Sequence, residues 1–214
     1  MNTTAKTALK VIPDSLKTQP VFLCVDDTIV PKSGTKFENV SKLFDHAAHN
    51  GSNYLNGHCF VSIMLCVPVW NRDKISYLSV LLGYRMRQKK ESKLELAASM
   101  IRKVMPEFQN REHVIILCDS WYTKQNLVCI VNEYPNLDLI GNARIDSVMY
   151  DLAPARTGHR GRPAKHGKQL SVETDFTFSS EKIGDYYTGV RHVLTRIFGS
   201  QEVLAYVTAT EKEH

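Results

Sequence analysis

Apolar and polar positions along the chain predict short buried strands before they predict anything else. Residues 21–28 form an apolar run that ends in Asp26 and Asp27, which is typical of a buried strand ending at a polar edge. Residues 58–69 and 74–84 are two further apolar runs joined by a short turn. Because such connections are too short for parallel crossovers, the three strands are predicted to form an antiparallel meander.

The segment between the first two strands and the segments after the third complete the core. Residues 31–57 show no clean period, and Asn56-Gly57 predicts a hairpin-type turn there. The pattern then predicts a helix opened by a capping box, a fourth strand, a second helix and a fifth strand, at residues 92–105, 114–119, 123–134 and 137–143. This order indicates an α/β fold of the ribonuclease-H-like type, with a mixed sheet flanked by helices.

Outside this core the pattern changes. The first residues are polar and predict a frayed lead-in. A Gly/Pro/basic stretch and alternating runs such as 171–179 predict a β-rich basic insertion, and a last apolar run is expected to return to the main sheet. The predicted domains are lead-in, core, insertion and a returning strand that leaves the core incomplete: residues 1–19, 20–145, 146–200 and 201–214.

Composition adds limits but no function. The chain is 43% hydrophobic and 23% charged, which excludes a chain disordered throughout. Its net charge of +5 permits a polyanionic partner without requiring one. The five cysteines form no C-x-x-C pair, so free thiols in a reducing cytoplasm are expected. No apolar run approaches the ~18 residues of a membrane span and no signal peptide is evident, so no membrane partner is expected.

Acids at strand ends are the candidate chemistry. Asp26 and Asp119 each follow a buried strand, where an unpaired charge is costly unless it binds a cation or transfers protons. The first and fourth strands are neighbours in a ribonuclease-H-like sheet, so the two carboxylates should meet, and hard oxygen ligands select Mg²⁺ or Mn²⁺. Neighbouring strand residues point to opposite faces, so only one of Asp26 and Asp27 is the inner ligand; Asp26 is favoured and Asp27 stays open.

Basic and aromatic residues mark candidate contacts to nucleic acid. Residues 160–163 match the core of an AT-hook, although a flexible basic loop that touches the DNA backbone is the favoured interpretation. Trp121 follows the second acid, where it either stacks on a frayed base or, as favoured, packs against the next helix. The candidate DNA-binding residues are Arg85, Arg87, Trp121, Arg156, Arg160, Arg162, Lys165 and Lys168.

Four stretches carry a resemblance to a known family: VDDTIVPKSG, LCDSWY, LIGNARIDSVMYDL and RGRPAKHGK. Together they resemble the DDE transposases of insertion sequences, in particular the insertion-sequence-four and seven-oh-one type with a β insertion. The resemblance spans about residues 20–210 and implies Asp26 (or Asp27) and Asp119 as the first two catalytic acids. It implies metal-dependent cleavage and transfer of DNA, transposon ends and target DNA as partners, a homodimer in the full-length form, and a cytoplasmic protein that associates with the nucleoid.

The family's third acid is the main departure. It is a glutamate in a Tyr-x-x-Arg-x-x-x-Glu context beyond the insertion, and this sequence has no such stretch and no N-terminal DNA-binding region. A fragment cut at both ends is therefore expected. Two alternatives stay open: an inactive DNA-binding remnant, and a self-sufficient ribonuclease-H-like nuclease that uses Glu38, Asp45 or Glu95 as its third acid.

Overall fold

The chain folds into two units, Met1–Ala143 and Arg144–His214, each with its own sheet. The computed structural model describes residues 1–34, 36–44, 53–144, 146–155, 162–198 and 201–211. Among these residues, no helix is long and apolar enough to cross a membrane. All five cysteines are free thiols, as the sequence predicts.

The first unit is built on a six-stranded mixed sheet. Its strands are β1 (Val21–Pro31), β2 (Ser41–Phe44), β3 (Tyr54–Asn71), β4 (Lys74–Met86), β5 (Val114–Cys118) and β6 (Leu137–Gly141). The order is β2-β3-β1-β5-β6, and β4 also pairs with β3. β3 is antiparallel to β1 and β4, whereas β1, β5 and β6 are parallel. The predicted meander and the ribonuclease-H-like mixed α/β sheet are therefore confirmed.

Helices α1 (Asn2–Lys10), α2 (Lys93–Val104) and α3 (Gln125–Val128) belong to the same unit. α2 is the predicted helix: the Ser92 hydroxyl accepts a hydrogen bond from the backbone of Leu94, and the helix ends before Pro106. The second predicted helix is broken into the single turn of α3 and a 3₁₀ segment, Cys129–Glu133.

The frayed lead-in predicted for residues 1–19 is wrong. Ala5 and Leu16 are 0% and 2% exposed and join the main core. Alanine stripes let a helix lie close to a sheet while most of the helix stays polar. The lead-in thus has few large apolar residues to reveal its burial in the sequence.

The turn predicted at Asn56-Gly57 is also wrong, because both residues lie inside β3. Gly57 pairs with Pro31 of β1 and with Ser41 of β2. A Cβ atom at Gly57 would lie 2.6 Å from the carbonyl oxygen of Val30. The glycine is therefore required by the close approach of a neighbouring strand and not by a turn.

Alternation gives the main sheet two different faces. Val21, Leu23 and Val25 of β1 are buried in the same core as α1 and α2. On the opposite face, Leu81 of β4 and Ile140 of β6 are 50% and 59% exposed. Successive side chains of one strand therefore point alternately towards the helix layer and towards an open face.

The second unit carries the antiparallel order β10-β9-β7-β8. Its elements are β7 (Met149–Tyr150), β8 (Gln169–Leu170), α4 (Val172–Asp175), β9 (Tyr187–Thr195) and β10 (Glu202–Ala209). Leu170, Phe176 and Val193 form its small core.

Two expectations for this region are corrected. The strand predicted over residues 171–179 begins instead with α4, because the Ser171 hydroxyl accepts from the backbone of Glu173 and Asp175 accepts from the backbone of Ser171. β10 pairs along its whole length with β9 and not with the main sheet. Alternating apolar residues predict a strand, but they do not specify which sheet it joins.

Candidate functional site

Two acids meet at one position along the main sheet. β1 and β5 are parallel neighbours, and their last paired residues are Val25 and Cys118. Asp26 and Asp119 are the next residues on the two chains. The predicted adjacency of the first and fourth strands is confirmed, and it places both acids at the same level of the sheet.

Asp26 projects from the open face of the sheet. It follows the alternation of Phe22 and Cys24, opposite to the buried Val25, and it is exposed. Its Oδ1 accepts a hydrogen bond from the backbone nitrogen of Asp27 at 2.8 Å. No side chain in the described part of the protein binds its carboxylate, so oxygen lone pairs remain available to a cation.

Asp119 shapes the turn that follows β5. Its Oδ1 accepts from the backbone nitrogens of Trp121 and Tyr122 at 3.0 and 3.2 Å. Its backbone oxygen accepts from the Thr123 hydroxyl at 2.8 Å. One carboxylate oxygen thus stabilises an Asx turn, while the exposed side chain keeps its second oxygen for other ligands.

Asp27 lies in a different environment from its neighbour. Lys93 donates to both of its carboxylate oxygens at 2.9 and 3.0 Å. The Tyr122 hydroxyl donates to Oδ1 at 2.9 Å, and the Cys59 thiol donates to Oδ2 at 3.4 Å. The side chains of Asp27 and Lys93 are only 13% and 18% exposed. The charge of Asp27 is therefore compensated inside the protein, on the face that packs against α2.

The two neutral donors to Asp27 hold their protons firmly. Burial, followed by the negative charge of Asp27, raises the pKa of the Tyr122 phenol well above its usual range. The same two causes, in the same order, raise the pKa of the Cys59 thiol to about 11. Both groups consequently remain donors throughout the physiological range of pH.

Trp121 lies between the acids and α2. The ammonium of Lys93 lies 3.9 Å from the centre of its indole ring, and that of Lys124 lies 4.3 Å from it. The ring meets Tyr122 edge to face with centroids 5.2 Å apart and packs against the core. A base that stacked on this ring would have to compete with these lysines.

The donor set of Asp26 and Asp119 fits a divalent cation such as Mg²⁺ or Mn²⁺. Both are hard carboxylate oxygens on exposed side chains, and Mg²⁺ is commonly bound by one or two carboxylates while it keeps several waters. The described residues contain no group of three or more His, Cys, Asp or Glu side chains that could hold a metal. Of the alternative third acids, Glu95 is exposed on α2, and Asp45 lies outside the described residues.

The two arginines of the first unit that are predicted to contact DNA, Arg85 and Arg87, bind other side chains of the same unit. Arg85 donates to the Ser99 hydroxyl at 3.2 Å and lies 3.8 Å from a carboxylate oxygen of Glu91. Arg87 donates to the Ser41 hydroxyl at 3.1 Å. Their role in DNA binding stays a prediction.

In the second unit, Lys168 forms an ion pair with Asp175. Arg162 and Lys165 are exposed to solvent. Arg156 and Arg160 lie outside the described residues, as does half of the AT-hook match. Exposed Arg162 and Lys165 therefore remain the simplest candidates for contact with a DNA backbone.

Sequence reasoning missed Lys93 and Cys59 as parts of the site. They come from α2 and β3, far from Asp27 in sequence. Their only local signals are the position of Lys93 directly after the helix cap and the place of Cys59 on the buried face of β3. Neither signal indicates a carboxylate partner.

The main sheet is ribonuclease-H-like, and Asp26 inside β1 lies level with Asp119, which directly follows β5. A sequence-family model described as DDE superfamily endonuclease matches residues 3–186. The match covers most of the chain, so this protein belongs to the DDE superfamily endonuclease family. It confirms the predicted DDE resemblance at the level of the superfamily. No curated protein and no solved structure matches the chain.

Proposed function

We propose that this chain carries the first two acids, but not the third, of the catalytic site of a transposase-type DDE enzyme that cleaves DNA phosphodiesters with Mg²⁺ or Mn²⁺ and transfers the cut strand. The carrying observation is the parallel pairing of β1 with β5, which brings Asp26 and Asp119 to the same level of one sheet. The family match supports nucleic-acid cleavage as the reaction class. The resemblance of four sequence stretches to insertion-sequence transposases is the reason for proposing strand transfer as the more specific activity.

Each residue of the proposed site has a distinct task. Asp26 and Asp119 hold the divalent ion, which, when bound, lowers the pKa of a water or of a 3′-hydroxyl and stabilises the leaving oxygen. Asp119 also fixes the turn at Trp121 and Tyr122 through its Oδ1. Asp27, already neutralised by Lys93, serves to hold β1 and α2 in place.

The DNA substrate is supported by charge as well as by family. Arg162 and Lys165 present positive charge to solvent in a stretch that contains no acid. Each such residue that neutralises a phosphate releases counterions, so binding should weaken steeply as salt increases. This electrostatic contact is made to the phosphate backbone and is independent of the DNA sequence.

The test is a nicking assay on supercoiled plasmid with Mn²⁺ or Mg²⁺. We expect nicking by the wild type and none by Asp26→Asn or Asp119→Asn. Asparagine at 119 keeps an oxygen for the backbone of Trp121 and Tyr122, so the turn survives while the charge is lost. Asp138→Asn, which alters an exposed acid on neighbouring β6, is the matched control and should nick normally. A labelled oligonucleotide with a free 3′-hydroxyl detects strand transfer in the same reaction.

A second candidate function is DNA binding without cleavage. It is favoured by the fact that no third acid joins the pair among the residues that the structure describes. It predicts salt-sensitive retention of plasmid with no nicking at any metal concentration. Nicking that disappears in Asp119→Asn would exclude it.

A further inference from the structure

Lys93 is the point where the two acid-bearing segments are connected. It is the first residue of α2, and its ammonium contacts both carboxylate oxygens of Asp27 at 2.9 and 3.0 Å. The same ammonium lies 3.9 Å from the ring centre of Trp121, two residues after Asp119. One cation thus bridges Asp27 inside β1 and the turn after β5.

The hydrogen bonds to Asp27 use the full capacity of its carboxylate. An ionised carboxylate offers about four lone-pair sites. Lys93 occupies one on each oxygen, the Tyr122 hydroxyl occupies a second on Oδ1, and the Cys59 thiol occupies a second on Oδ2. A metal ion could bind Asp27 directly only by displacing one of these donors.

Asp26 differs from Asp27 in each of these respects. It is exposed, it lies on the other face of β1, and its carboxylate accepts only a backbone hydrogen bond from within the described segments. The two adjacent acids therefore differ: the carboxylate of Asp26 is available to a metal ion, whereas that of Asp27 is occupied by donors from the protein. The sequence alone leaves the choice between them open, whereas the surroundings distinguish them.

We propose that Lys93 is a positioning residue of the metal site, which keeps Asp27 out of the ligand set and holds the acid-bearing part of β1 against the Trp121 turn, so that Asp26 and Asp119 bind the ion. This inference rests on the proposed function, because it presupposes an ion at Asp26 and Asp119. It assigns a role to Lys93 that concerns metal affinity and not only folding.

Trp121 provides a direct readout of metal binding. The chain has two tryptophans, and replacing the other one by Trp70→Phe leaves Trp121 as the single indole. Paramagnetic Mn²⁺ bound at Asp119 should quench its emission, and a titration then gives a dissociation constant without any DNA or turnover. Calorimetric titration with Mn²⁺ measures the same constant without relying on the indole.

The expected results separate ligands from positioning residues. Asp26→Asn and Asp119→Asn should each weaken Mn²⁺ binding by about tenfold or more, whereas Asp27→Asn should change it by less than about threefold. In a Lys93→Met background, Asp27 is released, and Asp27→Asn should now weaken binding by about tenfold. A purely long-range effect of the Asp27 charge would be equal in both backgrounds, so the double-mutant cycle isolates the action of Lys93.

Two further variants keep the test interpretable if Lys93→Met is unstable. Lys93→Arg retains the positive charge. In that background, Asp27→Asn should still change the Mn²⁺ affinity only slightly. Lys103→Met changes an exposed lysine in the last turn of the same helix. It should leave the Mn²⁺ dissociation constant unchanged, both in the wild type and in Asp27→Asn. Thermal melts of each variant confirm that the folded state is being titrated.

The possible failures are distinguishable. The inference is overturned if Asp27→Asn weakens Mn²⁺ binding as much as Asp26→Asn while Lys93 is present, or if the cycle is additive. The proposed function, and not merely the role of Lys93, fails if neither Asp26→Asn nor Asp119→Asn alters Mn²⁺ affinity.

Discussion

The hydrogen bond from Tyr122 to Asp27 offers a strict test of the site's architecture, because Tyr122→Phe removes a single oxygen. The Tyr122 side chain is 0% exposed, and its hydroxyl lies 2.9 Å from Oδ1 of Asp27. A hydrogen bond to a charged group contributes about 1.5–3 kcal/mol. The phenylalanine ring fills the same space, so cavity formation adds little to this value.

That energy converts to a measurable shift in melting temperature. For a chain of this size, each kcal/mol shifts the melting temperature by about 2–4 °C, so we expect a decrease of roughly 3–12 °C at pH 7. Tyr206→Phe removes the hydroxyl of a side chain that is 69% exposed and should leave the melting temperature unchanged. Differential scanning calorimetry of both variants gives the comparison.

The effect should also depend on pH and on Asp27. Because the pKa of Tyr122 is raised in the folded protein above its ordinary value of 10.0, the unfolded chain loses this proton first. The stabilisation is therefore complete below pH 10 and decreases above it, so the difference between wild type and Tyr122→Phe should narrow there. In an Asp27→Asn background, Tyr122→Phe should have a much smaller effect. An unchanged melting temperature, or an equal loss in both backgrounds, would refute the reasoning.

Further predictions concern other parts of the fold and surface. Gly141→Ala places a Cβ atom 2.4 Å from Oγ1 of the buried Thr123 and should destabilise the protein by about 1–3 kcal/mol in urea denaturation; equal stability would contradict this packing. Ala5→Leu overfills a fully buried position of α1 and should have a similar effect, unlike a substitution in a frayed segment. As the pH rises from 9.0 to about 11, Cys59→Ala should lose less free energy of unfolding than the wild type does. The reason is that the raised pKa of the Cys59 thiol stabilises the wild-type fold fully only below that range of pH. Arg162→Ala should lower the salt dependence of DNA binding by about one unit of slope if Arg162 contacts a phosphate, with no change if it does not.

The pattern of apolar residues in the sequence was sufficient to predict the strands beside which the acids lie and the helix that packs on them. β1 begins with an apolar run that leads into Asp26 and Asp27, β5 is an apolar run followed by Asp119, and α2 has a cap, an apolar stripe and a terminating proline. Their order along the chain, placed in a ribonuclease-H-like sheet, makes Asp26 and Asp119 neighbours. These features depend on local chemistry and on topology, both of which a sequence records.

The errors arose where tertiary contacts overrode a local signal. Gly57 follows an asparagine, as in a hairpin turn, but its lack of a side chain serves the approach of Val30. α1 is buried through small alanines, which carry little hydrophobic signal. Residues 171–175 alternate like a strand, but the hydrogen bonds of Ser171 and Asp175 close a helical turn.

The surroundings of Asp27 could not be predicted for a related reason. Lys93, Tyr122 and Cys59 come from α2, the turn after β5 and β3, and none is near Asp27 in sequence. A sequence shows that Asp26 and Asp27 face opposite sides of a strand. It does not show on which side of the strand a lysine compensates the charge of an aspartate.

The opposite faces of one strand explain how adjacent aspartates can be used differently. On the helix face, Asp27 is tolerated because a lysine compensates its charge and because two protonated donors, Tyr122 and Cys59, satisfy its oxygens. Both donors have raised pKa values, so Tyr122 and Cys59 keep their protons near neutral pH. On the open face, Asp26 has no such partners among the described residues, so its carboxylate oxygens remain available to the proposed cation. In the proposed site, a metal ion therefore binds on the open face, while the charge of Asp27 stays compensated on the helix face.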